Sequence, residues 1–177
     1  MTRDKFYIHE DDWCRISLEP EENHADRARV VGEVRAFGEA HRAPGGIGWT
    51  DIMVVPSSPV SLAVRAITLD ALRAALGPGC LECTEVTTGY SSHLESIGGG
   101  FAFRCSGEAH WDVIYGCVGD GIVTQLAVTH ATPALAAVLS RLGTTFRLIL
   151  CDLGRDCVID LARKVDLDRY LADDDAG

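Results

Sequence analysis

The chain has 177 residues, 47% of them hydrophobic and 24% charged, with a formal net charge of −10. That length suits one domain and is short for two, and no apolar run approaches the ~18 residues of a membrane helix. The start, MTRDKFYIHEDDW, lacks the apolar centre of a secretory signal, and an acidic chain with no basic run argues against binding nucleic acid through its phosphates. The expectation is a cytoplasmic protein with no membrane and no nucleic-acid partner.

The pattern along the chain predicts short elements. Lys5–His9 and Trp13–Leu18 read as strands around an acidic turn. Asn23 is placed as an N-cap, with Asp26 completing a capping box for a helix near Ala25–Arg42. That helix would pack through Val30, Val34 and Phe37 and leave Arg27, Glu33 and Arg35 on wetter faces. Pro44-Gly45-Gly46 ends it. Trp49–Val55 reads as a strand stopped by Pro56. Leu69–Leu76 reads as a helix capped by Thr68 and closed by Gly77.

Four strand-like runs come next: Leu81–Thr88, Phe101–Cys105, Trp111–Cys117 and Ile122–Thr129. The last two meet at Gly119-Asp120-Gly121, whose Asp-Gly pair suits a tight hairpin. Thr132 and Pro133 open a third helix that runs to Gly143. Phe146–Leu150 and Val158–Leu161 are strands, and a short helix at Leu167–Leu171 leads into an acidic tail. Sequential strands joined by short turns imply an antiparallel meander. The reading is one α+β domain over residues 1–172, a mainly antiparallel sheet with three to four helices packed on it, and a disordered tail at 173–177.

Seven cysteines in a chain without an export signal suggest reduced thiols used as small core hydrophobes. The one suggestive spacing is Cys80-Leu81-Glu82-Cys83. It runs into a strand, where a thioredoxin-type pair would open a helix, and it lacks the second ligand pair of a structural zinc site. Free cysteines, no metal and no cofactor are therefore expected.

The stretch VTTGYSSHLESIGGGFAFRC (Val86–Cys105) holds the other candidate chemistry. Gly89-Tyr90-Ser91-Ser92-His93 falls short of a nucleophile elbow, which needs a helix after its turn. Gly98-Gly99-Gly100 precedes a strand, so no helix N-terminus cradles a phosphate there. The stretch reads as a long hairpin loop, whose Tyr90, Ser92 and His93 could meet a partner.

The densest acidic group is Glu10-Asp11-Asp12, beside His9. Alternation of side chains keeps such neighbours from facing one metal ion together. With every catalytic signature incomplete, the leading expectation is non-enzymatic binding of another protein. Glu10, Asp11, Asp12, Tyr90, Ser92 and His93 would contribute to that contact. A basic partner is the natural complement, as for an immunity protein or antitoxin inhibiting a toxin, by analogy of class alone. The alternative is a small enzyme assembled from Glu10, Asp12, His93, His110 and His130, and three of these in one pocket would favour it.

Overall fold

Alternation writes the first strand, β1 (Lys5–His9), in which Phe6 and Ile8 are buried while Lys5 and Tyr7 face water. The computed structural model describes residues 5–45, 47–90, 93–105 and 112–172, so the acidic tail at 173–177 lies outside the described residues. After β1, Glu10–Asp12 form one tight helical turn. Cys14 then adopts a left-handed φ of 57°. That reversal breaks the expected strand at Trp13, and β2 spans Ile16–Pro20 instead.

Helix α1 (His24–Ala40) stands where the apolar recurrence placed it, with Val30 and Val31 buried and Val34 and Phe37 half-buried. Its entry differs from the capping box. The Asn23 side chain makes no cap bond. It grips the segment beyond the helix, donating to the Val60 carbonyl at 2.8 Å and accepting from the Val60 N–H at 3.0 Å. Arg27 is not on a wet face but 3% exposed. Its guanidinium meets Asp26 at 2.8 Å and the Pro56 carbonyl at 3.1 Å. A buried cation is tolerable only with such partners.

The expected strand at Trp49–Val55 does not form. Only Trp49 finds a ladder partner, in an isolated bridge to Arg42, and the Asp51 carboxylate accepts from the Ile52 N–H in place of a neighbouring strand. Helix α2 (Leu69–Leu76) matches expectation, with the Thr68 hydroxyl accepting from Ala71 N at 3.1 Å and Gly77 at φ 80°.

The run Leu81–Thr88 divides between two sheets, as β3 (Leu81–Glu82) and β4 (Glu85–Tyr90). The supposed hairpin loop holds a strand of its own, β5 (His93–Ser96), which pairs back on β4 with Tyr90 opposite His93. Then come β6 (Gly100–Arg104), β7 (Val113–Gly119) and β8 (Ile122–Val128), the last two joined at Asp120 and Gly121, both with positive φ.

Thr132 bonds the buried Asp112 carboxylate at 2.8 Å and leaves the next helix uncapped by its side chain. Helix α3 (Ala136–Phe146) runs through Gly143. That glycine is a packing residue, since a Cβ there would lie 2.3 Å from Leu161 Cβ. Arg147, left-handed at φ 55°, ends the helix. β9 (Leu148–Asp152), β10 (Cys157–Asp160) and α4 (Lys164–Ala172) complete the chain.

The strands make an antiparallel seven-stranded sheet, ordered β10-β9-β2-β8-β7-β6-β3, and a three-stranded sheet, β1-β4-β5, in which β1 and β4 run parallel. The fold is mixed α+β, as the pattern predicted. One face of the large sheet buries Leu18, Phe101, Phe103, Ile114, Leu126 and Leu150 against α2, α3 and α4. The other face carries Ala102, Val113, Tyr115 and Ala127, packed on Phe6, Ile8 and Val86 of the small sheet. No helix among the described residues is long and apolar enough to cross a membrane.

The cysteines depart from expectation at one pair. Cys80 is disulfide-bonded to Cys105, 25 residues away, so the expectation of free thiols fails for these two. Phe103–Arg104 of β6 pair with β3 just after Cys80, which brings the two sulfurs together across the sheet edge. Cys83, the other half of the CxxC, is separately buried under the small sheet. The remaining thiols behave as packing residues, and burial pushes those of Cys14 and Cys151 up to about 12.

Candidate functional site

Side chains from the ends of β1, β2, β6, β8, β9 and α4 converge on a cavity of about 720 Å³. β1 supplies Tyr7 and His9, the acidic turn supplies Asp12, and Arg15 enters just before β2. Arg104 closes β6, His130 comes after β8, and Asp152, Arg155 and Tyr170 form the far wall. The cavity lies where the two apolar clusters meet, with Phe6 and Ile8 of one and Ala131 and Tyr170 of the other in its lining.

The far wall is organised around Asp152, a buried carboxylate at 2% exposure. One oxygen accepts from the Gly154 and Arg155 backbone N–H groups at 2.8 and 3.1 Å, and the other accepts from the Tyr170 hydroxyl at 2.8 Å. With three donors on its two oxygens its hydrogen bonding is met within the protein. Burial and the neighbouring Asp152 charge both push the Tyr170 phenol above its ordinary range, so it stays a donor. The Arg155 guanidinium lies 4.2 Å from the centre of the Tyr170 ring, a cation–π contact. Gly154 lets Arg15 approach, since a Cβ there would meet its guanidinium at 2.8 Å.

The near rim is acidic. The His9 imidazole accepts from the Asp11 N–H at 3.3 Å and faces the Asp11 carboxylate at 3.6 Å. Asp12 faces Arg15 at 3.6 Å. The turn is anchored from beneath: the Tyr115 hydroxyl donates to the Asp12 carbonyl at 3.2 Å and accepts from Cys14 N at 2.9 Å. Trp13 packs on Tyr115 with ring centres 5.1 Å apart and donates to Gln125 at 3.2 Å. The Glu10, Asp11 and Asp12 side chains thus stand in water on a fixed base.

The other expected site residues are elsewhere or outside the described residues. His93 is exposed on β5, an edge strand of the small sheet, and does not line the cavity. Tyr90 ends β4, while Ser92 and His110 lie outside the described residues. From His93 the chain continues as strand, where a nucleophile elbow would be followed by a helix. Of the dispersed set proposed for an enzyme, Asp12 and His130 reach the cavity, joined by His9, while Glu10 does not line it. Sequence reasoning missed Arg15, Arg104, Arg155 and Asp152. Their only signal was position at strand ends, which becomes visible once the strand order is known. Among the described residues, no three His, Cys, Asp or Glu side chains form a metal-holding group. Comparison with protein families, with curated proteins and with solved structures finds no match to this chain.

Proposed function

We propose that the chain acts by binding another protein without catalysis, through a surface centred on the turn Glu10–Asp12. The observation that supports this most is the mounting of that turn. Three successive carboxylates project from a single helical turn whose backbone is held by Tyr115 and the packed Trp13. Preorganised charge of this kind lowers the ordering cost of association and steers a partner of opposite charge. A basic protein is the complement, and the overall charge of −10 acts in the same direction. The inhibitor role of an immunity protein or antitoxin is compatible with this reading.

A second reading, chemistry on a small molecule, draws on the cavity, whose lining includes two imidazoles, His9 and His130, and the Asp12 carboxylate. The best-placed buried acid, Asp152, is committed to structural bonds, which weighs against it.

Immobilised chain should capture a basic protein from lysate of its native cells, and reversing both Asp11→Lys and Asp12→Lys should abolish capture while leaving the fold intact. Undiminished capture by the reversed chain would remove the turn from the interface. Turnover of a small metabolite by the purified chain would overturn the binding reading.

A further inference from the structure

The cavity between the two apolar clusters gathers cations in a chain whose net charge is −10. Its described lining holds three arginines, Arg15, Arg104 and Arg155, against two carboxylates, Asp12 and Asp152. Each arginine is set in place by a different contact. The Arg104 guanidinium, at the end of β6, donates to the Lys5 carbonyl at 3.0 Å. The Arg155 guanidinium lies 4.2 Å from the centre of the Tyr170 ring. The Arg15 guanidinium packs against Gly154, where a Cβ would come within 2.8 Å of it. The turn from Asp152 to Arg155 thus brings two like charges to one wall. A carbonyl, a ring face and a glycine position a cation without carrying an opposite full charge.

The two carboxylates meet this wall differently. Asp152 accepts from two backbone N–H groups and from the Tyr170 hydroxyl, which holds it in the wall. Asp12 faces Arg15 at 3.6 Å, with both side chains more than half exposed. A surface contact of that kind is weak and gives way to a better-placed anion. Apolar side chains supply much of the remaining lining, with Phe6 and Ile8 from the small sheet and Ala131 from beyond β8. A volume of about 720 Å³ falls inside the ~300–1,000 Å³ of small-molecule sites, which combine apolar walls with a few convergent polar groups.

We infer that this cavity binds a small organic anion, an apolar body such as an aromatic ring bearing a carboxylate or a phosphate. The planar guanidinium fork matches two oxygens of either group, so the arginines take the charged end. Phe6 and Ile8 offer the apolar surface for the body. The same three cations repel an amine or a metal ion. An acidic chain attracts no anion at long range, so the affinity arises within the cavity and depends on the contacts made there. The inference goes beyond the protein contact proposed for the acidic turn and requires no reaction of the ligand.

Calorimetric titration of the full chain with phenyl phosphate and with benzoate tests this, with benzyl alcohol and benzylamine as the neutral and cationic counterparts. The expected result is saturable binding of at least one of the two anions and of neither counterpart. The tighter of the two anions tells phosphate from carboxylate recognition. Arg15→Gln, at an exposed position that leaves the fold alone, should weaken that binding about tenfold through loss of a charge-assisted contact. Arg104→Gln should do the same. Arg73→Gln, on α2 and outside the cavity lining, should bind as the native chain does. No binding of either anion, equal binding of benzyl alcohol, or binding indifferent to both Arg15→Gln and Arg104→Gln would each overturn the proposal.

Discussion

The two faces of the seven-stranded sheet are built from different materials. The face beneath α2, α3 and α4 is closed by leucine, isoleucine, valine and phenylalanine. The opposite side is divided between the small sheet and α1, and polar groups recur there: Tyr115 under the acidic turn, and Arg27, Asn23 and Glu19 beside residues 56–60. Apolar burial is non-directional and tolerates any well-packed surface. Hydrogen-bonded polar groups cost more to bury and fix geometry instead. The difference assigns stability chiefly to the helical face. The acidic turn, the surface proposed to meet a partner, is mounted on the polar side.

The largest effect should come from the helical face. Leu139 of α3 is fully buried in its cluster, and Leu139→Ala should lower the unfolding free energy by about 4 kcal/mol through lost transfer energy and a residual cavity. Urea unfolding followed by circular dichroism measures it. On the other side, Arg27→Ala should cost about 3 kcal/mol, because Glu19 and the Pro56 carbonyl lose a buried cationic partner. It should also carry a signature that Leu139→Ala lacks. The Val60 amide, which donates to the Asn23 side chain, should exchange its hydrogen faster while the sheet stays protected, since residues 56–60 are released locally. Uniform loss of protection in Arg27→Ala would show that the cluster supports the core rather than residues 56–60.

Much of the fold was legible because period and punctuation agreed. Alternation gave β1, apolar recurrence gave α1, Thr68 and Gly77 bracketed α2, and the Asp120-Gly121 turn tied β7 to β8. Failures fell where a side chain did a job that no local pattern encodes. Asn23 resembles a cap by type and position, yet its bonds go to Val60, 37 residues away. Arg27 occupies a helix position that periodicity marks as wet, and its burial rests on the tertiary neighbours Glu19 and Pro56 as well as on Asp26. Gly143 resembles a helix end and is a contact with Leu161. Cys80 pairs with Cys105 because β3 and β6 are neighbours, a fact of strand order. Of the candidate site, the acidic turn was visible as a charge run. The arginines and Asp152 of the cavity were not, because residues scattered along the chain become a wall only when the strands are ordered.

The claim that the acidic turn recognises a basic protein is tested most directly by association kinetics at several salt concentrations, using a captured partner and two forms of the chain. Reversal of Asp11 and Asp12 should change stability by less than about 0.5 kcal/mol, since both side chains are exposed and the Asp12–Arg15 contact at 3.6 Å is a surface ion pair. With the native chain, the association rate should fall steeply as salt rises while dissociation changes little. In the chain carrying Asp11→Lys and Asp12→Lys, association should be slow at low salt and nearly flat thereafter. An association rate that ignores both the salt and the reversal would contradict the account.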